Sequence, residues 1–196
     1  IGAEDEHGSY FDGKVSDARI YERSLSEFEV KRLYQSEGVI FGYTRNLVGH
    51  WTMNSEHLNG GSIRDISKYR NDGQLNGNIT TDQPSIIGES FDFDGGDDYV
   101  KVSDSSSLDV DTITIAAWIK TTGSSTNNMV MNKENTYEMA AGTSGVALAV
   151  QATGCSGWCN SWMFQDVGSI QSDTWTHVAT TWDGDKGRAY IDGELV

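Results

Sequence analysis

From residue 47 onward, short apolar runs alternate with stretches rich in Gly, Asn and Asp. In the run Thr112–Lys120, Ile113 and Ile115 occupy alternate positions, which is the side-chain period of a β-strand. Turn signals such as Asp183-Gly184 separate these runs. Their number and spacing predict an all-β fold, an antiparallel two-sheet β-sandwich of the jelly-roll type. The runs predicted to be strands are Leu47–Met53, Gln74–Asn76, Ser90–Phe93, Tyr99–Val102, Thr112–Lys120, Met129–Asn132, Ala147–Gln151, Trp175–Trp182 and Arg188–Ile191.

The first third of the chain predicts two further elements. Residues 10–21 predict a turn at Asp12-Gly13 followed by a short strand. Ser24–Tyr34 predicts one short α-helix, because Ser24 and Glu27 have the spacing of a capping box and apolar residues supply one side. A single helix of this length does not form a core, so we expect it to pack on the sheets.

The chain carries 29 Asp and Glu residues against 14 Lys and Arg residues, a formal charge of −15. Nucleic acids and anionic membranes attract clustered basic residues, so this balance argues against both as partners. The 18 Asp and 11 Glu residues are spread along the chain, which indicates an acidic surface rather than an acidic tail. A salt-adapted (halophilic) source, several cation sites or unremarkable acidity would each explain it. No apolar run is long enough to cross a bilayer, so we expect no membrane insertion.

The sequence offers no convincing catalytic arrangement. Glycoside hydrolysis needs two carboxylates on either side of the scissile bond, and the acidic run at Glu4 and Glu6 has neither the spacing nor the alternation of such a strand. The four His residues show no H-x-x-x-H spacing, and there is no Gly-rich phosphate loop. We therefore expect a protein that is not an enzyme.

Cys155 and Cys159 are the only cysteines of the chain. The pair is too sparse for a zinc site, so we expect a disulfide and with it an oxidising, extracellular setting. Trp158, Asn160 and Trp162 lie within or beside this small loop. Because an exposed aromatic ring packs on a pyranose face and an amide bonds its hydroxyl groups, these three residues are candidate carbohydrate ligands. The alternative for Trp162 is a place in the core.

Six segments, in combination, resemble the laminin-G-like jelly rolls of the concanavalin A-like lectin/glucanase superfamily. The most specific is Phe91–Val102, FDFDGGDDYVKV, which is similar to the family's FDG-x-DDYV-x-V hairpin. The resemblance implies a concanavalin A-like sandwich. The other five segments are Leu47–Trp51, Arg64–Leu75, Ile113–Lys120, Trp175–Gly184 and Arg188–Val196.

The order of the segments departs from the family at one point. Residues 10–34 resemble the family's last hairpin and helix, yet they stand first in this chain. The resemblance therefore implies a carboxyl-terminal hairpin and helix at 1–37, a linker at 38–46, and the amino-terminal and central strands at 47–196. Because neither part can bury its sheets alone, we expect one sandwich, formed within the chain or by swapping in a homo-oligomer. A permuted domain and a piece of a tandem array with repeat neighbours are the alternatives.

Two acidic loops are candidate sites for calcium, a hard cation that prefers carboxylate, amide and carbonyl oxygens. Asp65 and Asn71 lie in one loop, and Asp94 and Asp97 lie in the other. The resemblance implies that the two loops are neighbours at one end of the sandwich, where some family members bind calcium. A structural calcium ion held by these four residues is one hypothesis, and ordinary Asp-Gly turns are the alternative.

Together, the residues and the resemblance predict a non-catalytic extracellular module that binds carbohydrate or mediates surface adhesion. Its expected partners are a glycan or a cell-surface protein. A structural spacer repeat of a large surface protein is the first alternative, and an accessory domain of a glycoside hydrolase is the second. Fold analogy alone does not separate these functions, because one fold hosts many.

Overall fold

A computed structural model describes residues 1–4, 9–35, 44–122, 128–151 and 160–196, without the side chains of residues 4 and 160–162. The helices in the described part are α1 (Glu27–Gln35) and two 3₁₀ turns at Ser55–His57 and Ser106–Leu108. The strands are β1 (Ala3–Glu4), β2 (Ser9–Tyr10), β3 (Asp12–Tyr21), β4 (Leu47–Trp51), β5 (Leu58–Asn59), β6 (Ser62–Ile63), β7 (Gly73–Asn76), β8 (Thr80–Pro84), β9 (Glu89–Asp94), β10 (Tyr99–Val102), β11 (Ile113–Thr121), β12 (Met129–Lys133), β13 (Tyr137–Gly142), β14 (Gly145–Gln151), β15 (Asn160–Val167), β16 (Thr176–Trp182), β17 (Gly187–Ile191) and β18 (Glu194–Leu195).

The strands form two layers. The larger sheet has the order β18-β17-β16-β11-β3-β9-β8, with β4 also paired to β3. The second layer consists of two four-stranded sheets, β10-β7-β6-β5 and β12-β13-β14-β15, and β1 and β2 form a separate two-stranded sheet. The amino-terminal segment Ile1–Ala3 lies between these two sheets, because Ile1 exchanges backbone hydrogen bonds with Val100 of β10 and the Gly2 N–H donates to the Val130 carbonyl of β12 at 3.0 Å.

The hydrophobic core lies between the layers. Ile115 and Val178 of the larger sheet are fully buried in the same apolar cluster as Met139 and Leu148 of the second layer. Burial of such side chains is the main favourable term in folding. The strand pairs in the described part are antiparallel. The predicted all-β antiparallel two-sheet sandwich with one short α-helix is confirmed.

Strand β3 occupies the middle of the larger sheet. One edge pairs with β11, and the other pairs with β4 and β9 of the same chain. The predicted turn at Asp12-Gly13 is wrong, because both residues belong to β3 and pair with Asp94 and Phe93. Gly13 is required there for a different reason: its φ is 136° and a Cβ atom would lie 2.3 Å from the Lys120 carbonyl oxygen.

Helix α1 covers the outer face of the larger sheet with Val30 and Leu33. It starts three residues later than predicted, and its capping box is Ser26 with Glu29 rather than Ser24 with Glu27. The reason is a contact with β11. The Thr114 hydroxyl accepts a hydrogen bond from the Leu25 N–H at 2.8 Å and donates one to the carbonyl of residue 23, so this stretch is held against the sheet before the helix begins.

The division of the chain into residues 1–37, 38–46 and 47–196 stays a prediction. Residues 36–43 lie outside the described part of the chain, so the linker is not characterised. The described strands from the first part nevertheless pair with those of the last: β3 lies between β11 and β9 of the same chain.

His177 is buried on the outer face of the larger sheet. Its ring centroid lies 5.4 Å from that of Trp118 and 6.1 Å from that of Tyr34. Burial in these surroundings lowers the pKa of His177 to about 4, because the charged imidazolium loses its hydration there.

We predict that the free energy of unfolding falls as the pH is lowered from 6.5 to 4. In this window the unfolded chain binds a proton at His177 and the folded chain does not, so the stability is fully present above pH 6.5. At ~1.4 kcal/mol for each pH unit, the loss totals about 3 kcal/mol. Urea denaturation across this range should show it in the wild type and much less in His177→Gln. The matched control is His57→Gln, which should retain the dependence; a flat wild-type profile would contradict the prediction.

Candidate functional site

A cleft of about 560 Å³ opens between β10 and β12, next to the amino-terminal segment. Its volume falls within the ordinary range of protein ligand sites, roughly 300–1,000 Å³. One wall is β10 with the residues that follow it, and the other is β12 with the turn into β13. The residues that line it are Ile1, Ala3, Tyr10, Ile20, Trp51, Tyr99–Asp104, Leu108, Asp109, Met131–Glu134, Thr136 and Tyr137.

The amino-terminal segment lies at one end of the cleft and pairs with β10. The Ile1 amino group donates to the Val100 carbonyl at 2.9 Å, and the Val100 N–H donates to the Ile1 carbonyl at 2.9 Å. The cleft is lined by Lys101–Val102 of β10 on one side and by Met131–Lys133 of β12 on the other.

The floor of the cleft is apolar and its rim is charged. Trp51 and Met131 belong to the hydrophobic core and are almost fully buried. At the rim, the Lys133 ammonium forms ion pairs with the carboxylates of Asp104 and Asp109, the second at 3.1 Å. A ligand in the cleft would therefore meet an apolar surface below and polar groups at the edge.

The end of β12 and the turn into β13 carry several buried hydrogen-bond acceptors. Within the described part of the chain, no hydrogen-bond donor reaches the side-chain oxygens of Asn132, Glu134 and Asn135. Asn132 and Glu134 also line the cleft. A buried acceptor without a donor is costly, on the order of 1–3 kcal/mol. Donor groups of a ligand that reach this turn, after a side-chain rotation, would remove that cost.

The loop between β9 and β10 gathers three carboxylates. The oxygens of Asp94, Asp97 and Asp98 lie within 4.8 Å of one another. Asp94 accepts hydrogen bonds from the N–H groups of Gly96 and Asp97, which lower its pKa. Asp98 is almost fully buried and accepts from the N–H groups of Asn78 and Asp94 at 2.6 and 3.1 Å. Carboxylate oxygens are the donors that calcium prefers, so this loop fits the cation chemically, although its oxygens already bond to the backbone.

Asp65 and Asn71 belong to a separate hydrogen-bond network. Asp65 is fully buried, and its two oxygens accept from the N–H groups of His50, Ser67 and Asn71 and from the Ser67 hydroxyl. The Asn71 carbonyl in turn accepts from the indole N–H of Trp51 at 2.9 Å. Because these donors occupy both oxygens of Asp65, its carboxylate stabilises the fold of its own loop.

The structure does not bring the four predicted calcium ligands together. The length of the β7–β10 ladder separates them. At one end, Gly73 follows the Asn71 loop and pairs with Val102. At the other end, Asn76 pairs with Tyr99, which follows the Asp94 loop. At ~3.3 Å per residue, the ladder alone holds the two loops about 10 Å apart.

A laminin G-type family model, described as the concanavalin A-like lectin/glucanases superfamily, matches residues 94–196. The chain belongs to this superfamily. The matched residues include β10 and β12, the two walls of the cleft. No curated protein and no solved structure matches the chain.

Membership of the concanavalin A-like superfamily suggests a carbohydrate-binding or adhesion-type module. Laminin G-like domains are typically non-catalytic and commonly extracellular, although the superfamily includes glycosidases. In the described part of the chain, no helix has the length and apolar character needed to cross a bilayer.

The predicted carbohydrate ligands and the predicted disulfide stay predictions. Cys155, Trp158 and Cys159 lie outside the described residues. The backbone of Asn160 and Trp162 belongs to β15, where they pair with residues 151 and 149, but the description does not extend to their side chains. Sequence reasoning missed the cleft between β10 and β12, because no motif marks it.

We predict that Asp65→Ala lowers the free energy of unfolding by about 3 kcal/mol, because four donors lose a buried charged acceptor. The loss should be equal in calcium and in chelator, measured by urea denaturation. The control is Asp111→Ala, which alters an exposed carboxylate and should change stability by less than about 1 kcal/mol. A loss seen only with calcium present would instead make Asp65 a metal ligand.

Proposed function

We propose that this domain is a non-catalytic recognition module, of the carbohydrate-binding or adhesion type, that takes its ligand in the cleft between β10 and β12. The observation that carries the proposal is the cleft itself: an apolar floor of ligand-sized volume, with charged and hydrogen-bonding groups at its edge. Few but convergent polar groups around an apolar surface are typical of binding sites.

A carbohydrate is the first candidate ligand. Three tyrosines, Tyr10, Tyr99 and Tyr137, line the cleft, and the first two are partly exposed. Tyrosine presents an apolar face to a pyranose ring and a hydroxyl to its polar groups. The partnerless oxygens of Asn132 and Glu134 would accept from sugar hydroxyl groups.

Two of the three carboxylates that line the cleft support a non-catalytic role. Asp104 and Asp109 share one cation, Lys133. The hydrogen bond from Lys133 lowers the pKa of Asp104, whereas a glycosidase acid needs a raised pKa so that it can donate its proton. These two groups therefore suit binding better than proton transfer.

An adhesive contact with another polypeptide is the second candidate, and one observation favours it: the cleft lies between the edges of two strands. The proposed setting is the cell surface or the extracellular space, with a glycan or a surface protein as partner. A spacer repeat remains the alternative that uses no ligand.

We predict saturable binding of the folded protein to one class of glycan on a broad panel in high salt, weakened about tenfold by Tyr99→Ala. That factor corresponds to about 1.4 kcal/mol, the scale of one aromatic contact. Glycan-array binding followed by titration calorimetry measures it. The matched control is Tyr69→Ala, which removes an exposed tyrosine that does not line the cleft and should leave binding unchanged.

Two outcomes would count against the carbohydrate candidate. The first is the absence of binding across the panel by protein shown to be folded. The second is undiminished binding by Tyr99→Ala; if Trp158→Ala then abolished it, the ligand site would belong to the cysteine loop instead.

We further propose that the loop of Asp94, Asp97 and Asp98 holds a structural calcium ion. Saturating calcium should raise Tm by about 5 °C relative to chelator, because an ion that binds only the folded state stabilises it. Asp94→Asn combined with Asp97→Asn should abolish the shift. The control Asp185→Asn removes another exposed carboxylate and should preserve it. Equal Tm values in calcium and chelator would disprove the site.

A further inference from the structure

We infer that the end of β12 and the turn into β13 bind a monovalent metal cation such as sodium through the side-chain oxygens of Asn132, Glu134 and Asn135. The inference is independent of the proposed function, because it concerns the turn itself and needs no ligand in the cleft. It follows from buried oxygens that lack donors, from the charge around them and from the order of the turn.

The turn holds four side-chain oxygens that only accept hydrogen bonds. They are the amide oxygens of Asn132 and Asn135 and both carboxylate oxygens of Glu134, and no donor among the described residues reaches them in their buried positions. Such atoms are rare in folded proteins, and a bound ion or an ordered water often accounts for them. A water donates to the oxygens but leaves the carboxylate charge uncompensated, whereas a cation compensates it.

The protein supplies no cation of its own to Glu134. Lys133 comes next to it in the chain, but the Lys133 ammonium is shared by Asp104 and Asp109. Among the described residues, no other donor, charged or neutral, reaches the Glu134 carboxylate. Because a buried charge without a partner is costly, a cation that binds here would stabilise the folded state.

The set of ligands favours a monovalent ion. It supplies one negative charge, because Glu138, which lies opposite Asn132 in the ladder, takes part in another interaction. The number of charged ligands sets the affinity of an oxygen site for calcium, so the loop of Asp94, Asp97 and Asp98 suits calcium better. Neutral carbonyl-type oxygens are the ligands with which proteins replace the hydration shell of sodium and potassium.

The oxygens lie close enough to share one ion. Asn132 and Glu134 are two positions apart, about 6.6 Å along an extended chain, and both line the cleft. Asn135 follows directly in the turn. A sugar hydroxyl that reached this turn would donate to a carboxylate oxygen and contact the ion through its own oxygen, so the site is compatible with the proposed carbohydrate ligand.

The backbone of the turn is already ordered. The Thr136 N–H donates to the Lys133 carbonyl at 3.0 Å, and the Gln151 N–H donates to the Thr136 carbonyl at 2.9 Å. Asn135 has a φ of 56°, in the left-handed region that Asn adopts more readily than most residues. Binding of an ion therefore requires only rotations of side chains, which keeps its entropic cost low.

The test compares thermal unfolding of the full chain in sodium chloride and in choline chloride at equal ionic strength, both with chelator. At a sodium concentration tenfold above the dissociation constant, the wild-type Tm should be about 4 °C higher in sodium chloride. Glu134→Gln keeps the shape of the side chain but removes its charge, so this difference should fall below about 1 °C. In choline chloride, the Tm of Glu134→Gln should equal or exceed that of the wild type, because an uncompensated buried charge is gone.

The matched control is Glu56→Gln, which removes an exposed carboxylate outside the turn and should preserve the difference between the two salts. Sodium NMR relaxation measures binding without unfolding the protein. The wild type should show saturable broadening of the sodium resonance, and Glu134→Gln and Asn132→Ala should each weaken binding by about fivefold or more. If Glu134→Gln does not fold, Asn132→Ala, which removes one neutral ligand, still decides the question.

Equal wild-type Tm values in the two salts would overturn the inference, as would equal sodium relaxation with the wild type and Glu134→Gln; ordered water would then be the occupant. A shift caused by calcium that survives Asp94→Asn combined with Asp97→Asn but disappears with Glu134→Gln would also overturn it, because the turn would then hold a divalent ion. None of these outcomes bears on the recognition function, which the glycan panel tests separately.

Discussion

The pairing of β3 on both edges is the constraint on which the rest of the structure depends. Residues 12–21 pair with β9 some 80 positions later and with β11 some 100 positions later. Contacts at such separations carry a loop-closure cost before they contribute stability, and they make the topology strongly non-local. Without β3, β11 and β9 would each lose a neighbour in the middle of the larger sheet, and α1 would lose the connection that holds it over the outer face.

Much of the sandwich was predictable because its main strands alternate and its turns carry Asp-Gly signals. The missed strands have physical reasons. β8 (Thr80–Pro84) is a polar edge strand with alternating exposure and a proline, and such a strand has no apolar pattern. β13 (Tyr137–Gly142) ends in Ala-Ala-Gly, which has low β propensity, yet it is buried on both faces by its neighbours. The capping box moved from Ser24 to Ser26 because Thr114, remote in sequence, holds Leu25.

The candidate site was less predictable than the fold. Asp65 and Asn71 are residue types that often bind cations in loops. In the folded loop, however, backbone N–H groups bond to the carboxylate of Asp65, and the sequence does not reveal these donors. The Asp94 loop was predicted from the same composition, and there the structure gathers the carboxylates. The cleft had no signal in the sequence, because its walls are backbone edges. Asn132, in β12, and Glu134, in the turn that follows, have an ordinary sequence, and only the structure shows that their buried oxygens have no donor among the described residues.

The cleft lies where two parts of the chain meet. Its walls, β10 and β12, lie within the residues matched by the superfamily model, whereas its closed end is the amino-terminal segment, which lies outside them. That segment is the described link between the two four-stranded sheets of the second layer. A ligand that contacts both walls would also link these two sheets. Its binding and the docking of the amino-terminal segment would therefore stabilise the same contact between the sheets. Because any ligand that binds only the folded state shifts the folding equilibrium towards it, the proposed recognition in this cleft would be thermodynamically linked to closure of the sandwich.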